Sequence, residues 1–126
     1  MSTVLLVGED EMLLHTRAAV LRTTGVETLC CRPDAALTVQ ADRECDVVVL
    51  CHSLHKERCT ALAEAVHAAW PETRILLVTT DRAWGQADVE PAVDAVTPSD
   101  PDRLIVRTKQ LLRRGEGAGA ERRMDS

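Results

Sequence analysis

Chemistry in this sequence is concentrated in a few short segments. Gly8-Glu9-Asp10-Glu11 gathers carboxylates on what reads as a turn, a set that can hold a hard cation such as Mg²⁺ through oxygen and water ligands. The same acids also suit the first turn of a helix, where the dipole stabilises negative charge. Cys51-His52-Ser53-Leu54-His55-Lys56 sets a thiol close to groups that can carry positive charge, and a neighbouring cation is what brings a thiol into its reactive range. Against that stands the reading of Cys51 as a small buried hydrophobe, which the residue types favour. Cys51, His52 and His55 also match a transition-metal site by type, but no fourth ligand is apparent. Thr79-Thr80-Asp81 and Thr97-Pro98-Ser99-Asp100 collect hydroxyls and further acids. There is no nucleophile–base–orienter set and no phosphate-binding glycine loop.

The elements that must position these segments follow from hydrophobic periodicity. Val4–Val7, Val26–Cys31, Asp46–Leu50 and Arg74–Thr79 read as strands, with Val93–Val96 a weaker fifth. Several of these runs are continuous rather than alternating, so both faces must be covered, which points to a central parallel sheet. Between them lie stretches of helical period. Leu14, Ala18 and Leu21 fall on one stripe that Gly25 terminates, and Leu62, Val66 and Ala69 repeat the spacing before Trp70-Pro71. Leu104, Ile105, Thr108, Leu111 and Leu112 form a last stripe, opened by Ser99-Asp100-Pro101 as a cap followed by proline at the first helical position. Ala35–Gln40 and Ala83–Glu90 are shorter helical candidates. Strict alternation of strand and helix predicts an α/β fold with an open, doubly wound sheet of five parallel strands. In such sheets ligands and chemistry collect at the carboxyl ends of the strands, and that is where each of the segments above falls.

Composition narrows the function classes. The chain has 126 residues, 45% of them hydrophobic, enough for one domain with a real core. It lacks Phe and Tyr, so Val, Leu, Ile and Ala must do the packing. A net charge of −5 argues against direct nucleic-acid binding, which draws on Lys and Arg to neutralise phosphate. No apolar run is long enough to span a bilayer, and Met1-Ser2-Thr3 leads into a strand without a basic, apolar leader, so a cytoplasmic location is expected. Five cysteines without paired spacing read as free thiols. Cys30 and Cys31, adjacent on one strand, should face opposite sides of the sheet. His15 and His67 are expected on helix surfaces. Residues 1–113 are expected to form the domain, and the Gly- and Ala-rich residues 114–126 a flexible tail.

Taken in order, Leu5-Leu6-Val7-Gly8-Glu9-Asp10, Asp46-Val47-Val48-Val49-Leu50, Ile75-Leu76-Leu77-Val78-Thr79 and Val96-Thr97-Pro98 resemble the receiver domains of two-component response regulators. The resemblance covers residues 3 to about 113 and implies a flavodoxin-like sheet in the order 2-1-3-4-5. It also implies a phosphoacceptor aspartate ending the third strand, and Mg²⁺ between that residue and an acidic pair after the first. A hydroxyl ending the fourth strand, and a lysine before a cis-proline after the fifth, complete the family's site. Here Thr79 matches the hydroxyl and Pro98 the proline, which implies a cis Thr97–Pro98 bond. Ungapped, Gly8 and Glu9 fall on the acidic pair; a shift of one residue puts Glu9 and Asp10 there instead.

The acceptor itself is Cys51, and the lysine is Thr97. A thiol is a soft ligand for Mg²⁺ and cannot form an acyl phosphate. A lysine beside a missing carboxylate would be a stranded cation, so the two departures are consistent. The segment from Asp81 to Ala92, broken by Gly85 and Pro91, is shorter than the family norm and predicts a short or irregular fourth helix. The expectation is therefore a degenerate receiver without catalysis or bound cofactor. Glu9 and Asp10 are the weak candidates for holding Mg²⁺, which is not expected to bind. Its partner is expected to be a protein, such as a signalling kinase or effector, or a second copy in a homodimer, met through Trp84 and the exterior of the last helix. The rival expectations are a receiver switched by thiol redox at Cys51 or by a small ligand in the neutral pocket, and an enzyme on the same scaffold.

Overall fold

The continuous apolar runs become strands buried on both faces. In the computed structural model, which describes residues 2–51, 56–79, 93–98 and 100–112, β1 (Thr3–Val7), β2 (Glu27–Cys31), β3 (Val47–Leu50), β4 (Arg74–Thr79) and β5 (Ala95–Pro98) form one sheet. Its order is β2-β1-β3-β4-β5, and each neighbouring pair is parallel. Alternation along the strands sorts the core into two layers. Leu5, Val7, Val48, Leu50, Ile75 and Leu77 pack on one side against Ala36 of α2 (Ala36–Arg43) and Cys59, Ala63 and Val66 of α3 (Lys56–Ala69). Val4, Leu6, Val47, Val49, Leu76 and Val78 pack on the other against Leu14, Ala18 and Leu21 of α1 (Glu11–Arg22) and Leu104, Leu111 and Leu112 of α4 (101–112).

The helix ends follow their sequence signals. Asp10 caps α1 by accepting a hydrogen bond from the Leu13 amide at 3.2 Å. Beyond α1 the chain turns through Gly25 at φ +84°, a conformation glycine adopts without steric cost. Asp100, directly before Pro101, opens α4, its Oδ1 accepting from Asp102 N at 2.9 Å.

Several expected boundaries move, each for a local reason. The fifth strand begins at Ala95, two residues after the expected start, because Asp94 takes over the ladder itself. Its amide donates to Ile75 O at 2.9 Å, and its Oδ2 accepts from Ile75 N at 2.7 Å. Thr97 and Pro98 consequently lie inside β5 rather than after it. The third strand starts at Val47 because the Asp46 carboxylate accepts from Thr3 N at 2.8 Å. The second starts at Glu27 rather than Val26. The second helix runs on to Arg43 after a 3₁₀ turn, Pro33–Ala35. On α3 the buried stripe is Cys59, Ala63 and Val66, with Leu62 partly buried and Ala69 exposed. Small side chains there let the helix lie close on the sheet. The expected helix at Ala83–Glu90, Trp84 and the tail fall outside the described residues.

Candidate functional site

The sheet register places the candidate residues in one row. Val7 pairs with Leu50, Leu50 with Leu77, and Leu77 with Val96. One residue further on, Gly8, Cys51, Val78 and Thr97 therefore line up across the carboxyl end of the sheet. Cys51 N donates to Val7 O at 2.9 Å, which extends the ladder by that step. By strand alternation Cys51, Val78 and Thr97 project toward the α1/α4 layer, with Cys51 and Thr97 separated by one strand, roughly 10 Å between Cα atoms. Thr79 ends β4 and pairs with Pro98 in the next row.

Cys51 is only 1% exposed and belongs to the α1/α4 core. Burial pushes its thiol pKa above the ordinary 9.0. Arg17 acts in the opposite direction, through its charge and a side-chain hydrogen bond to Cys51, without overcoming burial. The cation beside Cys51 is thus an arginine of α1. His52 and His55, the sequence candidates for that part, lie outside the described residues. Arg17 occupies the buried face of α1 with Leu14, Ala18 and Leu21 and is 6% exposed. Its place in the i, i+3, i+4, i+7 stripe was the signal that could have found it.

Two carboxylates near the row, Glu9 and Asp10, have partners. Glu9 Oε1 lies 3.7 Å from Arg58 Nη1 on the first turns of α3, and Arg58 also bonds Asp34, which follows β2. Asp10 serves as the α1 cap. Gly8 is buried and contributes no side chain. These residues do not fit Mg²⁺. The row offers a neutral thiol held by a guanidinium where a hard cation needs oxygen ligands, and the nearest acids are occupied by Arg58 and by a helix N-terminus. Among the described residues no group of three or more His, Cys, Asp or Glu is placed to hold a metal ion.

Thr97 is 1% exposed and its Oγ1 has no hydrogen-bond partner, as is also true of Thr108 Oγ1 on α4. A lysine at position 97 would carry its charge into this apolar layer. Cys30 packs with the α1/α4 core and Cys31 with the opposite one, as expected of neighbours on a strand. His15 is exposed, but His67 is not a plain surface residue. Its Nε2 lies 3.0 Å from Asp94 Oδ2 in a half-buried pair. Trp70 packs against the α2/α3 core at the end of α3.

This sheet order, with helix layers on both faces and the candidate residues at the strand ends, is the fold of response-regulator receiver domains. NtrX from Brucella abortus matches 98% of this chain at a TM-score of 0.85 and 18% identity, the match spanning only 29% of that longer chain. The signal receiver domain of an HD domain-containing protein from Pseudomonas fluorescens Pf-5 matches 94% of this chain and 92% of its own at 0.80 and 20% identity. A CheY-like response regulator receiver domain from Methanospirillum hungatei JF-1 matches 94% of this chain and 98% of its own at 0.80 and 18% identity. At such identities the likeness is one of fold. No family model matches the chain, and no curated protein does.

Proposed function

We propose that this chain is a receiver-fold module of two-component-type signalling that works through protein–protein contacts, without aspartyl phosphorylation and without catalysis. The observation that carries this reading is Cys51, a buried thiol at the acceptor position, hydrogen-bonded by Arg17 and with its pKa pushed up. A protonated thiol in an apolar layer offers neither the carboxylate nor the Mg²⁺ ligand that phosphoryl transfer onto a receiver uses. The raised pKa also weighs against the thiol-switch alternative, since the thiolate is the reactive form.

The partner is a protein, such as a signalling kinase or effector, or a second copy of the chain, in a cytoplasmic setting. Among the described residues no helix is long and apolar enough to cross a membrane. The contact surface in this reading is the exterior of α4. Val106 stands 51% exposed between Arg103 and Arg107, and with Val96, Thr97 and Gln110 these residues line a groove of about 350 Å³. A solvent-facing apolar side chain flanked by arginines has the composition of an interface anchor. Incubation with a small phosphodonor and Mg²⁺, followed by intact mass measurement, tests the proposal. The expected result is an unmodified chain, and a phosphoryl adduct on an acidic residue overturns it.

A further inference from the structure

Arg58 joins segments that the sheet brings side by side. Its guanidinium lies 3.7 Å from Glu9, which follows β1, and also bonds Asp34, which follows β2. Arg17 meanwhile sets a second guanidinium against Cys51, which follows β3. Glu9 and Cys51 follow neighbouring strands at the carboxyl edge of the sheet, where the receiver fold's cation would need its oxygen ligands.

We infer that Arg58, ion-paired with Glu9 and Asp34, takes the place of a divalent cation at the strand-end face, so that the protein's own guanidinium holds the loops together and excludes Mg²⁺. This deepens the reading of the pocket as phosphate-independent and rests on it. A metal ion offers a charge that comes and goes with ligand; an arginine fixed in α3 is always present. The loops after β1 and β2 are therefore held in one arrangement that does not depend on metal. The ion pairs lie at the surface, with the Asp34 side chain 83% exposed, and each contributes little, but one guanidinium shared by two carboxylates couples three segments at once.

Thermal unfolding of the whole chain, with and without millimolar MgCl₂ and against NaCl of equal ionic strength, tests this. The wild type is expected to show the same midpoint in both salts. Arg58→Ala is expected to melt about 3 °C lower in NaCl and to regain part of that loss in MgCl₂, as the ion replaces the positive charge lost beside Glu9 and Asp34. Arg58→Lys keeps the charge and should remain indifferent to MgCl₂. Glu9→Gln is expected to lower the midpoint with no recovery in MgCl₂, which keeps the test alive if Arg58→Ala does not fold. A wild-type midpoint raised by MgCl₂ beyond NaCl overturns the inference, as does an Arg58→Ala protein indifferent to the ion. Either result without a phosphoryl adduct sinks the arginine brace alone, whereas an adduct sinks the proposed function itself.

Discussion

Gln40 shows how a single polar residue can hold a packed junction. It is fully buried, yet its amide is satisfied: Oε1 accepts from Cys45 N at 3.0 Å, while Nε2 donates to Cys45 O at 3.2 Å and to Thr73 Oγ1 at 2.9 Å. Gln40→Leu leaves the Cys45 amide buried without an acceptor, although Thr73 still donates to Cys45 O at 3.1 Å. The expected loss is about 2 kcal/mol, read from urea unfolding, and a loss near zero refutes the assignment. The buried thiols carry a pH consequence of definite sign. Burial raises Cys59 from 9.0 to about 12, helped by the nearby Cys51, and raises Cys31 and Cys45 to about 11. The folded chain thus keeps protons that the unfolded chain releases. The stability this confers is complete below pH 9.0 and is lost as pH rises toward about 12. Unfolding free energy measured over that interval should fall less steeply in Cys59→Ala than in the wild type. Equal slopes would mean that the thiol is not protected by the fold.

At the scale of elements, most of the sheet was legible because continuous runs such as Val47–Leu50 leave no exposed face to argue about. The fifth strand was misplaced because its register depends on Asp94, a residue that reads as a loop acid in sequence. In the fold that carboxylate receives Ile75 N, meets His67 at 3.0 Å and lies 3.8 Å from Arg74 Nη1. One side chain thereby ties the start of β5 to β4 and to the end of α3. No local pattern announces such a pairing, since its partners lie 19 and 27 residues away. Asp94→Ala removes a charged acceptor from a half-buried amide, and a destabilisation of about 2 kcal/mol is expected. Amide exchange gives the sharper check. Ile75 N–H should exchange faster in the variant while amides of β1 stay protected, and uniform acceleration across the sheet would contradict a role local to this edge.

Over the whole molecule, strand order could be read from sequence, but the charges set around the strand-end residues could not. The resemblance to receiver domains sets Cys51 and Thr97 at the positions of that family's acceptor and lysine. Arg17 shares the helical stripe of Leu14, Ala18 and Leu21, which marks it as inward-facing without naming Cys51 as its partner, and nothing in the sequence neighbourhood of Arg58 says that it reaches Glu9. This changes what repair of the pocket should achieve. A Cys51→Asp, Thr97→Lys double variant restores the residue types of a working receiver at two positions only. A carboxylate at position 51 would meet the Arg17 guanidinium that now bonds Cys51, and a buried pairing of that kind withholds the carboxylate from a metal. Gly8 still supplies no acid, and Glu9 keeps its ion pair with Arg58. The double variant is therefore expected to fold yet remain unmodified by a small phosphodonor with Mg²⁺, as measured by intact mass. Further substitution of Arg17 by Met and Arg58 by Gln should raise Mg²⁺ affinity above that of the double variant, measured by titration calorimetry. If the double variant alone acquires a phosphoryl group, the departure from the receiver pattern is confined to positions 51 and 97, and the arginines are bystanders.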